Sequence, residues 1–372
     1  MKPLRLFFQV LVLVVVQTST LLASPTMIRI GYSDCQTCHI SPQGAGMLNT
    51  YGKGVDEAQS LRAREPHPID TDARRFIYDV RFVVASQLVD SLASAQSVAA
   101  STFRLQLRSS ARVSEKSRIS YAGGLESPSL TPTAAGTSGA AKGVVSKALW
   151  EYRPKDGLEF AVGRDEMPSG IGLPDPQAFI RKGNDPGDTA YPTQVKMFWW
   201  NRHVQLTPYA FAPGGDESPS VRQYGAGMLG GVDVWKQHAI VGMSVRSSKA
   251  STFSRRSAGG FARLGFGKWG ILAEHDFTSR TESDPTAPIS EYLAGHSQIF
   301  FAAKEWLVTS LAAEDLVIDG PRPSHTYRLT PGVQVRFSDN LTVIVNTRDV
   351  FTGVSAGRTR TFSVQLAVKT VE

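Results

Sequence analysis

From about Arg75 onward, apolar and polar residues alternate one for one. Phe76, Tyr78, Val80 and Phe82 interleave with Asp79 and Arg81. Phe103, Leu105, Leu107, Ala111 and Val113 interleave with Arg104, Gln106, Arg108, Ser110 and Arg112. The same pattern runs through Leu329, Val333, Val335 and Phe337, and again through Phe362, Val364, Leu366 and Val368. Alternate side chains of a strand point to opposite faces, so each segment predicts a strand with one apolar and one polar face. Alternating segments of about ten residues mark a transmembrane β-barrel.

Turn residues punctuate the segments. Pro154-Lys155-Asp156-Gly157, Gly267-Lys268-Trp269-Gly270 and Ser338-Asp339-Asn340 each predict a tight hairpin. Further short joins are expected near Glu115, Asn201, Lys236 and Glu305. Between them, longer polar connections are expected near Ala93, Ala135, Asp175, Glu217, Lys249, Asp284, Gly320 and Gly353. This alternation predicts an all-β fold, a transmembrane antiparallel barrel of about sixteen strands, with every short join on the side of the termini. A soluble β-sandwich is the competing reading. Trp150, Tyr152, Trp199, Trp200, Trp235, Trp269 and Trp306 fall near expected strand ends, as interfacial girdles require.

The first residues set the compartment. Lys2 and Arg5 precede an apolar run from Leu6 to Val16, and Leu22-Ala23-Ser24 supplies small residues for cleavage. This predicts a secretory signal peptide over residues 1–24. The run is shorter than the roughly 20 residues a spanning helix needs. The net charge of +7 becomes about +5 once Lys2 and Arg5 leave with the signal. Nothing in the chain points to nucleic acid.

The chemistry sits just beyond. Cys35-Gln36-Thr37-Cys38-His39 is a CxxCH motif, the attachment pattern of c-type haem, and the chain has no other cysteine. Two thioethers from Cys35 and Cys38 and axial ligation by His39 are expected. A local disulfide or a thioredoxin-like pair is the alternative, but no βαβ pattern follows. Ser41-Pro42-Gln43-Gly44-Ala45-Gly46 reads as a turn, Leu48 to Leu61 as one helix, and Arg62 to Asp72 as a charged linker. Residues 25–72 therefore predict a short monohaem c-type cytochrome segment with its linker, and 73–372 the barrel. About 50 residues is near the lower limit for an independent core. The segment is thus expected to plug the lumen or lie at the periplasmic mouth. Met47 is the candidate sixth iron ligand and His67 a less favoured one. Met27, His203, His238, His275, His296, His325 or an open site are further options.

The polar strand faces are rich in arginine: Arg81, Arg104, Arg108, Arg112, Arg118, Arg263, Arg328, Arg336 and Arg348, joined by Lys147, Lys196, Glu151, Glu274 and Asp276. They either brace a porin-like interior or hold anionic groups such as haem propionates. Asp165, Glu166, Asp175, Asp185, Asp188, Asp216, Glu217, Glu282 and Asp284 are loop acids that either attract a cation or stay solvated. No nucleophile elbow, P-loop or metalloprotease motif is present.

A signal peptide, Cys35, Cys38 and His39, and about sixteen strands together resemble the fused monohaem cytochrome–porins of bacterial outer membranes, whose best-known members oxidise iron. The resemblance implies one covalent haem c in an outer-membrane electron-transfer protein or Fe(II) oxidoreductase. Its implied partners are outer-membrane lipid, extracellular Fe(II) or another external redox partner, and a periplasmic cytochrome. Two other readings stand beside it: a passive porin with a haem-bearing plug or redox-sensing segment, and a barrel that docks a separate multihaem cytochrome.

Overall fold

The computed structural model describes residues 25–32, 35–42, 47–61, 75–91, 96–127, 141–168, 170–172, 178–184, 191–214, 222–284, 286, 289–320, 323–353 and 357–370. The expected signal peptide, the linker with His67, and Asp175, Asp185, Asp188, Asp216 and Glu217 lie outside these residues.

Sixteen antiparallel strands form one closed barrel in sequence order, from β1 (Phe76–Ser91) to β16 (Gly357–Lys369). β1 pairs with both β2 (Gln96–Arg112) and β16, with Arg81 opposite Gln106 on one side and Lys369 on the other. Closure leaves no edge strand, so every strand satisfies its backbone groups within the sheet, as a lipid-facing sheet must. Among the described residues, no helix is long and apolar enough to cross a membrane.

The alternation read from sequence becomes the two faces of the wall. Phe82, Leu107, Val195, Phe277, Leu311 and Phe362 are exposed on the outside, while Arg81, Arg108, Glu151, Lys196, Glu274 and Arg328 are buried inside. Trp150, Trp199, Trp235 and Trp269 are also exposed.

One end carries turns of two to five residues, including 156–157 between β4 (Lys142–Lys155) and β5 (Leu158–Arg164) and 267–268 between β10 (Phe253–Phe266) and β11 (Trp269–Glu282). At the opposite end the connections 127–141, 165–192, 213–223 and 283–289 are long, as expected, but the others depart from that pattern. There the connections 92–95, 250–252, 320–323 and 353–356 are only three or four residues long. The polar flanks read as loops continue the strands instead; Lys249, the expected centre of one connection, is the last residue of β9 (Ala239–Lys249).

The lumen is not an open tube on its β9–β13 side. Between β5 and β6 (Thr193–Trp200), the described residues 170–172 and 178–184 lie inside the barrel and include a short helix, which we label α2 (Phe179–Asn184). Two wall carboxylates hold this loop. Glu274 on β11 accepts the N–H groups of Gly170 and Ile171 at 3.0 and 2.8 Å. Glu314 on β13 (Leu307–Asp319) accepts that of Phe179 at 3.0 Å. Glu314 also pairs with Arg328, whose guanidinium lies over the Phe179 ring.

The N-terminal segment enters the same lumen. It comprises two 3-10 turns, η1 (Pro25–Ile30) and η2 (Cys35–Thr37), and the helix α1 (Thr50–Ala58). Ile28, 2% exposed, packs with Ile171, Phe179 and Ile180 of the inward loop and with Ile240, Phe261, Leu272 and Phe300 of the wall. Barrel interiors are ordinarily polar. Here an apolar core sits inside one, built from the terminal segment, the inward loop and the wall together.

Candidate functional site

Local backbone bonds fold the CxxCH motif. Cys35 opens η2, and its carbonyl accepts the N–H groups of Cys38 and His39 at 3.3 and 2.9 Å. The chain then returns on itself: His39 pairs with Leu48 in an antiparallel bridge, and Ile40 donates to the Met47 carbonyl at 3.1 Å. Asn49 joins this hairpin to α1. Its N–H donates to the Cys38 carbonyl at 2.9 Å, and its side-chain oxygen accepts the Gly52 N–H at 2.7 Å, an N-cap. Gly52 is required, because a Cβ there would fall on the Cys38 carbonyl. One helix is expected over Leu48 to Leu61; the observed α1 starts later, because Asn49 caps it, and ends at Ala58.

Contacts around the mouth fix the segment. Arg29 forms an ion pair with Glu305 in the turn between β12 (Ser290–Lys304) and β13. Arg153 at the β4 end donates to the Ile40 carbonyl at 3.4 Å. On α1, Asp56 pairs with Arg336 of β14 (Ser324–Ser338) at 3.0 Å and with Lys369 of β16. Leu61 donates to the Arg336 carbonyl at 2.8 Å. The terminal segment therefore spans the end of the barrel that carries the short turns.

His39 is 3% exposed, and neither ring nitrogen has a hydrogen-bond partner among the described residues. Burial, then the positive fields of Arg108, Arg81 and Lys147, push its pKa down to about 3. The imidazole is neutral at ordinary pH, the form that ligates metal. Buried polar nitrogens without partners are costly and call for an explanation. Cys35 and Cys38 form no disulfide and are half-buried and buried. These residues fit a covalent c-type haem: two thiols at the attachment spacing, an unbonded neutral imidazole beside them, and basic groups close by.

Cations outnumber carboxylates around the site. Asp79 is shared by Arg108 and Arg81, the latter at 3.7 Å. Asp165 is shared by Lys196 at 2.8 Å and Lys147 at 3.5 Å. Asp56 is shared by Arg336 and Lys369. A small cleft open to solvent lies between the segment and the wall, lined by Met47, Leu48, Lys53 and Tyr78 together with members of two of these clusters.

The sixth-ligand candidates separate. Met47 is buried against Ile40 and Ile77 of β1. The His39–Leu48 bridge puts Met47 in register with Ile40, so strand alternation assigns it to the opposite face from His39. The Met27 sulfur accepts a hydrogen bond from Gln59 at 3.2 Å. Among the barrel histidines, His238 lies beside Gly31 of the terminal segment. His296 is buried 3.3 Å from Glu314, and His203 and His275 are exposed. The His325 ring lies tilted against that of Tyr327.

Several expected loop acids belong elsewhere. Asp165 is buried against Lys196 and Lys147, and Glu166 pairs with Arg181 of α2 at 3.7 Å. Glu282 bonds Arg280, and Asp284 bonds Thr286. Among the described residues, no group of three or more His, Cys, Asp or Glu is placed to hold a separate metal ion. Sequence reading missed the inward loop and the pairing of Asp56 with Lys369. Inward-facing Lys369 is visible in the alternation of β16, but its partner lies 313 residues away.

No protein-family model matches the chain, and neither does any curated protein. Solved structures do match. An anion-selective porin from Comamonas acidovorans aligns with a TM-score of 0.61 at 11% identity, over 79% of this chain and 99% of that one. OmpTdeltaL8, a loop L8 deletion mutant of the outer membrane protein OmpT of Vibrio cholerae, aligns with a TM-score of 0.59 at 9% identity, over 80% and 100%. Salmonella typhi OmpF in complex with daunomycin aligns with a TM-score of 0.58 at 11% identity, over 80% and 99%. At such identities the likeness is one of fold: this chain is a porin-like barrel of sixteen antiparallel strands, the architecture of outer-membrane porins.

Proposed function

We propose that this chain is an outer-membrane electron conduit, in which one haem c attached through Cys35 and Cys38 and ligated by His39 sits in the barrel mouth. The observation that carries the reading is His39: buried, neutral and, among the described residues, without a hydrogen-bond partner for either ring nitrogen, beside two thiols that form no disulfide and stand at the attachment spacing. The apolar outer wall contacts outer-membrane lipid, and the end with the short turns faces the periplasm, as in porin-like barrels.

Bound haem would supply a one-electron ferric–ferrous couple. The chain's own residues do the rest. Cys35 and Cys38 would hold the ring covalently, and His39 would supply an imidazole to its iron. The contacts of Arg29, Asp56 and Arg153 hold the motif against the wall. The inward loop and Ile28 exclude water from one side of the lumen. Electrons pass between an external donor, Fe(II) or another, and a periplasmic cytochrome. Iron oxidation itself rests on the cytochrome–porin resemblance.

The second reading is a passive porin with a haem-bearing plug. The fold match to an anion-selective porin and the basic lumen favour it. The apolar core inside the lumen weighs against an open pore.

The test is a haem-stained gel and a reduced-minus-oxidised spectrum of the detergent-solubilised protein from a host competent in cytochrome c maturation, followed by mixing with Fe(II). A covalent c-type spectrum that reduces with Fe(II) supports the iron-oxidising conduit. Covalent haem unreactive to Fe(II) assigns another donor. Absence of covalent haem overturns the conduit and leaves the porin.

A further inference from the structure

The lipid-facing wall carries a polar break at mid-height. His275 on β11 and Asp315 on β13 lie on the same face as Phe277 and Leu311, the outer one. In register they flank Gly295 of β12, which pairs with His275 on one side and with Asp315 on the other. A Cβ on Gly295 would fall on the Asp315 carboxylate and the His275 imidazole, so both side chains lean over the glycine. Neither has a hydrogen bond or ion pair among the described residues.

Their depth matters. Trp269 opens β11 and lies against Phe301 of β12, ring centres 4.6 Å apart, as an aromatic belt at the short-turn end. His275 stands further along the same strand by about 20 Å. A strand tilt of about 40° turns that into roughly 15 Å of height, near the middle of an apolar band about 25 Å tall. An ionisable group at that depth is costly against lipid and is kept where it meets another protein surface. The neighbouring outer positions are small: Gly260 pairs with His275, and Ala273 and Ala313 flank Ser297 one step toward the turns. The wall of β1 and β2 instead presents Phe82, Phe103, Leu105 and Leu107 to lipid.

We infer that this patch on β11–β13 is where a second copy of the chain packs, about a two-fold axis along the membrane normal in front of Gly295. The patch is self-complementary. It holds one imidazole and one carboxylate on either side of a glycine, so the two-fold sets each His275 against Asp315 of the partner subunit. Glycine and alanine around the pair let the two walls approach closely. The contact is independent of whether the chain carries haem.

The experiment is sedimentation equilibrium of the full chain in density-matched detergent, with heat-modifiable gel mobility to show that each barrel is folded. The wild type is expected as a dimer. The double variant His275→Leu/Asp315→Leu suits a lipid-facing wall, so it should fold, and its dimer should dissociate roughly tenfold or more readily. His275→Asp sets carboxylate against carboxylate and should be monomeric, while the exchange His275→Asp/Asp315→His should restore the dimer. A monomeric or trimeric wild type overturns the proposal. So does a dimer that the double leucine variant leaves unchanged, by assigning the contact to another part of the wall. A folded exchange variant that stays monomeric overturns the pairing; should the aspartate variants fail to fold, the leucine pair decides.

Discussion

Asp56 on the helix of the terminal segment lies 3.0 Å from Arg336 near the end of β14, and the Arg336 carbonyl accepts the N–H of Leu61 at 2.8 Å. One wall residue thus holds the segment by side chain and by backbone. Lys369 of β16 holds the same carboxylate from the side. Asp56→Asn removes the charge that both cations share. The expected outcome is destabilised docking by about 1–3 kcal/mol. Limited proteolysis should then cut within 25–61 while the barrel stays intact.

Acid should do what the substitution does. Burial opposes ionisation of Asp56, but Lys369 and Arg336 outweigh it and hold its pKa below the ordinary 3.8. A carboxyl whose pKa is lowered by folding contributes stability that is present above the unfolded value and lost as pH falls through the folded one. Pepsin digestion across about pH 5 to pH 2 should show the segment protected above 3.8 and progressively cut below it. The Asp56→Asn variant should lose this pH dependence.

Gly265 near the end of β10 is where the segment backbone meets the wall. A Cβ there would fall on Ile28 and Arg29 main-chain atoms. Gly265→Val is expected to cost about 1–3 kcal/mol of docking by overpacking. The barrel, measured by heat-modifiable mobility on gels, should be unaffected, because valine suits a strand.

The inward loop depends on Glu274, which accepts two of its N–H groups. Wild-type protein in planar bilayers should conduct little for a sixteen-stranded barrel. Glu274→Ala leaves both donors without that acceptor, at a cost of about 1–3 kcal/mol. Larger or noisier single-channel conductance is the expected readout. An open, quiet wild-type channel would instead favour the passive porin.

Met47 packs with Ile40 and Ile77, and the hairpin register puts it opposite His39. Met47→Leu conserves volume and should cost under about 1.5 kcal/mol. In the proposed haem-bearing protein the midpoint potential should be unchanged. A marked fall would identify Met47 as a thioether ligand, since that ligand raises the potential.

The strand count and the two faces of the wall were legible because period-2 alternation is a local property. Phe82 outward and Arg81 inward follow from their places beside each other in the chain. The motif Cys35-Gln36-Thr37-Cys38-His39 was legible for the same reason, since its chemistry needs only local spacing. Loop lengths were less so: Lys249 reads as a polar connection, yet strand pairing carries β9 through it, because a backbone with a hydrogen-bonding neighbour extends past its apolar residues.

What the sequence determined by itself is an alternating wall, its short turns, and a single thiol pair with an adjacent imidazole. Where these meet is set by the fold. Ile28 finds Phe261 and Phe179, Asp56 finds Lys369, and Glu274 finds Gly170 across long stretches of chain. The physical reason is closure. Joining β1 to β16 makes an enclosed space whose charges and apolar atoms must be satisfied by whatever enters it, and no local pattern records which segments those are.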